Sequence, residues 1–289
     1  MKRLIFKLIA AYIRNTPPHK GRGVLARLAW NRLLPDVFEI SWGVKIRPKR
    51  DSGYDFHVFL GDYEKHGETK VFLSYLRKGM TVMDIGANIG VYALHFARKV
   101  GPNGRVYAFE PVPDYFERLK DHIALNNATN IVPIPLALFD RKGTVKMSVA
   151  EGASSIFCYP TDQFVEVPTT TLDDFVAEEG IKRVDAIKLD VEGAELRVIY
   201  GAEKTIRQFK PVMMVELNEY TLRSAGTSPE ELFQTITSYG YKAFAIRHGK
   251  AIPTNEVVRP MGYQVSVQVA GSNALQEIMS VCDNYLFLP

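Results

Sequence analysis

The sequence predicts an α/β domain built on a doubly wound, mostly parallel sheet and preceded by a helical arm. Three observations predict it. From residue 80 onward, short apolar runs alternate with segments of helical period, which is the pattern of a parallel sheet covered on both faces. A glycine-bearing turn, MDIGANIG at 83–90, joins the first run to the first helix, and Glu110 ends the next run twenty residues after Gly90. A composition of 46% hydrophobic and 24% charged residues over 289 positions provides for a sizeable core. It excludes a disordered chain, a collagen-like fibre and a small disulfide-stapled scaffold.

Residues 1–37 form the arm, and residues 38–289 the α/β domain. In MKRLIFKLIAAYIR, at 1–14, Leu4, Ile5, Leu8, Ile9 and Tyr12 fall on one side of a helix, with Arg3, Lys7 and Arg14 opposite. The basic start suggests a leader peptide, but Lys7 interrupts the apolar stretch and no small-residue cleavage site follows. A membrane span needs about 20 apolar residues, more than this run offers. What remains is an amphipathic helix lying either on the body or on an anionic membrane surface. A second amphipathic segment follows at 24–34. Residues 1–50 hold 12 Lys or Arg against Asp36 and Glu39, a net of +10, whereas the other 239 residues sum to −6. The basic character belongs to the arm, so a nucleic-acid cleft in the body is not expected.

Residues 38–66, rich in aromatics and charges, are expected to cover one end of the site. Strands follow at Thr81–Ile85, 105–110, 131–135, 184–190, Val212–Leu217, 241–246 and 284–288. Helices are expected at Val91–Val100, 114–127 with Asp114 as cap, 194–202, and 229–239 with Ser228 as cap and Pro229 at the first position. The stretch at about 139–172 breaks the rhythm with Gly143, Gly152, Pro160 and Pro168 and reads as an inserted hairpin or loop. The two cysteines, Cys158 and Cys282, lie in no metal-binding or disulfide pattern, so a reducing compartment is expected. That means the cytoplasm, with peripheral contact at the inner membrane face as the arm's alternative. The sequence gives no reading of oligomeric state.

The glycine turn lacks the Gly-Lys-Ser/Thr ending of a P-loop and does not fit GxGxxG. By itself it could be a structural turn. Glu110 changes this, because an acidic group at the end of the second strand accepts ribose hydroxyls in doubly wound folds. Asp84, Gly86, Gly90 and Glu110 in this register point to a nucleoside, leaving NAD, FAD and S-adenosylmethionine open.

VMDIGANIGVYALHFA, VYAFEP and IKLDVEGAE, in this order, resemble the FkbM type of class I S-adenosylmethionine-dependent methyltransferases, which are Rossmann-like. The resemblance covers about residues 55–220. It implies a seven-stranded sheet with the last strand antiparallel, and O-methylation of hydroxyl groups. It places Asp84, Gly86, Asn88 and Gly90 at the methionine portion of the cofactor and Glu110 at the ribose. Leu136, Ala137 and Leu138 go to the adenine, with core packing as the alternative for these aliphatic side chains. Gly61-Asp62-Tyr63-Glu64 is similar to the segment that precedes the glycine turn in this family, and Glu64 joins the substrate-binding candidates.

Ligands of open α/β sheets bind at the carboxyl ends of the strands. Lys188, Asp190 and Glu192 alternate at one such end, and the competing reading is a Lys188–Asp190 ion pair with Glu192 starting a helix. A neutral alcohol is a poor nucleophile, so a positioned base helps. Asp190 is the first candidate and Glu192 the second, with Lys188 and His57 completing the catalytic set and His66 a further imidazole. Glu216 and Asn218 are expected to bind substrate hydroxyls, and Tyr63, Tyr92, Tyr159 and Tyr220 to line the mouth. A divalent metal on Asp190, Glu216 and Asn218 is the rival mechanism, although no spacing signature demands one. The expected function is S-adenosylmethionine-dependent methyl transfer to a hydroxyl of a sugar, glycan or small metabolite. The alternatives are an NAD-dependent sugar dehydrogenase or epimerase, and a non-catalytic nucleoside-binding module at a membrane surface.

Overall fold

The computed structural model describes residues 2–16, 19, 21–61, 63, 67–150, 153–155, 163–258 and 283–289. The arm is two helices, α1 (Lys2–Asn15) and α2 (Arg22–Leu33). A short antiparallel pair, β1 (Phe38–Glu39) with β2 (Lys45–Ile46), leads to α3 (Gly53–Leu60) and α4 (Glu68–Tyr75). Alternation then begins with β3 (Thr81–Ile85), α5 (Val91–Val100), β4 (Arg105–Phe109), α6 (Pro113–Leu125) and β5 (Ile131–Ile134). α6 starts one residue before Asp114, so Asp114 lies in the first turn and Val112 is the cap residue.

The stretch after β5 holds β6 (Ala137–Leu138), β7 (Gly143–Ala150), β8 (Ala153–Ser155) and β9 (Phe164–Thr170) in a separate sheet of order β6-β9-β7-β8. Its backbone is an antiparallel β7–β9 pair with β6 parallel to β9. Cys158, Tyr159 and Cys282 lie outside the described residues. Thr171 caps α7 (Leu172–Glu178) through the Asp174 N–H. Then come β10 (Ala186–Leu189), α8 (Glu195–Tyr200), α9 (Glu203–Phe209), β11 (Val212–Leu217), α10 (Glu219–Ser224) and α11 (Pro229–Ser238). The helix expected over 194–202 ends early, at Gly201, where a Cβ would lie 2.1 Å from Phe139 O. Ser228 caps α11 as expected, accepting from the Glu231 N–H. The chain closes with β12 (Lys242–Arg247), β13 (Lys250–Thr254) and β14 (Asp283–Leu288).

The main sheet has the order β13-β12-β14-β11-β10-β3-β4-β5. β5, β4, β3, β10 and β11 run parallel, and β14 enters antiparallel between β11 and β12. The seven expected strands are all present, and β13 adds an eighth at the edge. It folds back on β12 through His248 and Gly249, both with positive φ (+49° and +70°), the geometry that a two-residue hairpin requires.

Side chains alternate between two cores. Val82, Ala186, Met214 and Leu286 turn to one face, together with Phe6, Ile13 and Trp30 of the arm. Met83, Ile187, Met213 and Phe287 turn to the other. Asp84, Lys188 and Glu216 lie two residues beyond Val82, Ala186 and Met214, so they share the first face, on adjacent strands. Apolar residues fill the strands, and these three polar groups close them at the carboxyl ends. The arm packs on this same face. α1 buries Phe6, Ala10 and Ile13, with the Phe6 ring stacked 5.1 Å from Phe59. This is a different face from the Leu4–Tyr12 stripe that sequence periodicity picks out.

Candidate active site

The glycine turn is fixed by its backbone. The N–H groups of Gly86 and Ala87 both donate to Phe109 O, at 3.1 and 2.9 Å, tying the turn to the end of β4. Gly86 has φ +79°, and a Cβ there would lie 1.9 Å from Asp190 O; at Gly90, φ +90°, it would lie 2.5 Å from Leu119 Cδ1. Both glycines are therefore demanded by the protein's own packing, beyond any room they leave for a ligand. Asn88 also has positive φ, and its N–H donates to Glu110 Oε2 at 2.8 Å. Glu110 Oε1 accepts from the Val112 N–H at 2.9 Å. Glu110 thus clips the turn to the chain leaving β4. Burial pushes its carboxyl up to about 7, against the two backbone donors that favour the ionised form.

Glu195, to which the sequence suggested no role, does the same on the neighbouring loop. Its carboxylate accepts from the N–H of Val191 at 2.9 Å and of Gly193 at 3.0 Å, and burial raises its pKa to about 7. Between the two clips sits Lys188, 3% exposed. Its ammonium donates to Gly86 O at 3.1 Å, pairs with Asp190 at 3.1 Å and lies 3.8 Å from Asp84. It also stands 5.1 Å over the Tyr92 ring. Burial pulls the lysine down, and Asp190 and Asp84 more than reverse this, so it stays a cation. Lys188 is thus held as an ion pair with Asp190, the reading that the sequence offered as the alternative to a catalytic role. Asp84 is fully buried with no hydrogen-bond donor on either oxygen. Burial raises its pKa to about 6, with Lys188 opposing.

Towards solvent, Asp190, Glu192 and Glu216 bring carboxylate oxygens within 4.8 Å of one another. All three are half-buried. Glu192 holds φ +55°, a conformation that costs a non-glycine residue on the order of 1 kcal/mol or more. Glu216 is pushed well above the ordinary carboxylate range, by burial first and then by Asp190, Glu192 and Glu195. Its Oε2 is buried without a hydrogen-bond partner. Like charges this close share a proton or a cation. Three hard oxygen donors would suit magnesium. Asn218, expected in that set, instead caps α10, its Oδ1 accepting from the N–H of Tyr220 and Thr221 at 3.0 and 3.3 Å. Glu192 takes its place.

Tyr54 is a residue that the sequence reading did not single out. It stands on α3, and burial, then Asp190, Asp55 and Asp84, push its hydroxyl pKa upward. Asp55 beside it, fully buried, anchors α3 to α6 through Arg118 at 2.6 Å. His57 lies one turn after Tyr54, its ring 6.4 Å from that of Phe56. Glu64 and His66 lie outside the described residues. Tyr92 donates to Tyr63 O at 3.3 Å, joining α5 to the segment before α4. Tyr220 is half-buried at the start of α10. Ala137 and Leu138 are 7% and 3% exposed, Ala137 against Met147 and Val167 in the small sheet and Leu138 in the second core. Core packing, the alternative reading of these aliphatic side chains, accounts for the burial of both; Leu136 before them is half-buried.

Six carboxylates, Asp84, Glu110, Asp190, Glu192, Glu195 and Glu216, thus converge with one buried cation, Lys188. That surplus suits a cofactor bearing a sulfonium and an ammonium, and it opposes the pyrophosphate of NAD or FAD. A Tyr-x-x-x-Lys spacing of the kind used by dehydrogenases does occur, at Tyr200 and Lys204, but it spans the end of α8 and the start of α9, with Tyr200 44% exposed.

Residues 84–243 match the family model described as the methyltransferase FkbM domain. The chain is similar to the hexuronic acid methyltransferase AglP of Haloferax volcanii, 25% identical over 169 residues that make up 58% of this chain and 66% of that protein. It is similar to the 31-O-demethyl-FK506 methyltransferase FkbM of Streptomyces tacrolimicus, 29% identical over 161 residues, 44% of this chain and 61% of that one. The chain therefore spans roughly three-fifths to two-thirds of the length of the curated relatives it matches, 61% and 66% for these two. A crystal structure of a methyltransferase FkbM from Methylobacillus flagellatus superposes with a TM-score of 0.49 at 15% identity, covering 98% of this chain and 58% of that one. The family match runs from Asp84 in β3 to Ala243 in β12 and takes in more than half of the chain, which belongs to the methyltransferase FkbM family.

Proposed function

We propose that the chain is an S-adenosylmethionine-dependent O-methyltransferase acting on a hydroxyl of a sugar, a glycan or a small hydroxylated metabolite. The observation that carries this reading is the carboxylate surplus around Lys188, with its solvent-side members Asp190, Glu192 and Glu216 arranged to meet an acceptor. The relatives named for methylation of a hexuronic acid and of an FK506 precursor favour the acceptor class.

The cofactor supplies a methyl group that its sulfonium already makes electrophilic. Glu110 would accept hydrogen bonds from the ribose hydroxyls while its bonds from the Asn88 and Val112 N–H groups hold the turn still. Asp84 and Lys188 would set the local field for the methionine portion. The acceptor hydroxyl is oriented by Glu216 and Glu192. Asp190, which Lys188 holds in place at 3.1 Å, would take the proton of the acceptor hydroxyl, and the bound cofactor would supply the methyl group to that oxygen.

Isothermal titration with S-adenosylmethionine and with NAD tests the cofactor, and the reading requires heat from the first only. Incubation with a panel of hexuronic acids, oligosaccharides and polyhydroxylated macrocycles, read by mass spectrometry, then tests transfer. Binding of NAD with none of S-adenosylmethionine would point to the dehydrogenase reading, and binding with no transfer to any acceptor to the non-catalytic one.

A further inference from the structure

We infer that the N-terminal pair of helices is a docking surface for an anionic lipid bilayer. This goes beyond the proposed reaction and does not rest on it. α1 has two apolar faces where a packing helix needs one. Phe6, Ala10 and Ile13 are buried on the body. Leu4, Leu8 and Tyr12, at i, i+4 and i+8, form a second stripe that stands 63%, 63% and 43% exposed, with Ile5 beside it. Arg3, Lys7 and Arg14 run along the edge between the two faces. α2 repeats the arrangement: it buries Ala26, Ala29 and Trp30 and exposes Val24 and Leu28 one turn apart, flanked by Arg27 and Arg32. Six of the eleven large hydrophobic side chains exposed among the described residues fall on these two short helices, so the apolar surface is concentrated and not scattered.

Charge selects the occupant. α1 and α2 carry seven Lys or Arg and no Asp or Glu. Lys7 leans on Glu39 at 3.9 Å, and Arg14 donates to the backbone of Phe59 and Glu39. Lys2, Arg3 and Arg32 line one concavity where the start of α1 meets the end of α2, with Asp36 at its rim. A second copy of the chain would bring like charge onto like charge. An anionic bilayer offers phosphates to the cations and an acyl boundary to the leucines. At 14 residues α1 is about 21 Å long, enough to lie in the interface. Among the described residues no helix is long and apolar enough to cross a membrane. The surface adjoins α3, through Phe6 against Phe59, and so lies on the side of the sheet that carries Tyr54 and the carboxylates.

Co-sedimentation of the full chain with vesicles tests this. The chain is expected to partition onto vesicles of equal parts phosphatidylglycerol and phosphatidylcholine and to stay in solution with phosphatidylcholine alone. Leu4→Ser combined with Leu8→Ser should lower partitioning about tenfold or more. Arg27→Gln and Arg32→Gln should each lower it about fivefold at low salt. Phe164→Ser, at an exposed aromatic outside the arm, should leave it unchanged. All these side chains are exposed, so melting temperatures should match wild type and exclude misfolding. No binding to anionic vesicles, binding indifferent to the leucine pair, or a wild-type dimer that the leucine pair dissociates would each overturn the inference.

Discussion

The two halves of the strand-end site are built on opposite principles. In the half around Gly86 and Glu110, each carboxylate oxygen of Glu110 has a backbone N–H, and both glycines are fixed by contact with protein. In the half around Asp190, Glu192 and Glu216, three half-buried carboxylates crowd together, and a buried oxygen of Glu216 has no hydrogen-bond partner. In the first half, Glu110 and the two glycines are held by protein contacts before any ligand arrives, while Asp84 beside Lys188 is buried with neither oxygen hydrogen-bonded. The second carries unfavourable interactions that a bound proton, cation or hydroxyl would relieve. A cofactor common to many enzymes calls for the first arrangement, and a site of chemistry and acceptor choice for the second.

The sharpest way to break this comparison is Asp190→Asn. The change keeps the side chain's shape and removes the basic oxygen. Turnover should fall by roughly 100- to 10,000-fold, while titration with S-adenosylmethionine should give nearly wild-type affinity. A loss of affinity equal to the loss of turnover would merge the two halves into one.

Glu110→Ala should act the other way, on binding first. It removes the hydrogen bonds expected from the ribose and, in addition, the clips to Asn88 and Val112. Affinity for S-adenosylmethionine should weaken by about 1–3 kcal/mol, read by calorimetry. Full affinity in a folded Glu110→Ala protein would remove Glu110 from the site.

The same contrast decides what could be read from the sequence. Asp84, Gly86, Gly90 and Glu110 fall within 27 residues of one β-α-β run, and their spacing follows from strand and turn geometry. Asp190 was legible for the same reason, as the end of a strand. Tyr54, whose hydroxyl feels the charge of Asp190, was not, because it stands on a helix thirty residues before Asp84, and α3 is anchored by the distant pair Asp55 and Arg118. Ala137 and Leu138 left two readings open because an aliphatic residue at a strand end has the same pattern whether it faces a ligand or a core. In α1, Leu4–Leu8–Tyr12 and Phe6–Ala10–Ile13 both have helical spacing, and the aromatic wall of Phe38, Trp30 and Phe59 that selects the second set is assembled from distant segments. β13 was not predicted, although His248-Gly249 is a two-residue turn that directly follows the strand at 241–246 and joins it to the new edge.

A smaller effect should appear in the pH dependence of stability. Burial raises the carboxyl pKa of Asp84 to about 6 and of Glu110 and Glu195 to about 7. The folded protein therefore binds more protons than the unfolded chain between their ordinary values and these. Stability contributed by the protonated groups is present at about pH 4 and is lost as pH rises to about 7, by up to about 1.4 kcal/mol per group per pH unit. Melting of the ligand-free protein should fall from pH 5 to pH 8, and Glu195→Gln should flatten the curve. Cofactor affinity should move oppositely, tightening over the same range as the carboxylates ionise. Melting that rises with pH would mean that the backbone donors outweigh burial.

The smallest expected effect is that of a chelator. Asp190, Glu192 and Glu216 have the donor atoms for magnesium, but Lys188 already places a cation 3.1 Å from Asp190, and the raised pKa of Glu216 removes a negative charge from the cluster. With a proton and an ammonium doing the neutralising, turnover should be unchanged by EDTA and by added magnesium. The alternative gives a distinct pattern: EDTA would silence the wild type, magnesium would restore it, and Glu192→Gln and Glu216→Gln would each raise the magnesium concentration needed. That pattern would assign the strain at Glu192 to metal ligation and turn Asp190 from proton acceptor into ligand. Unchanged turnover, with Asp190→Asn still inactive, leaves the proton on Asp190 and the division between the two halves intact.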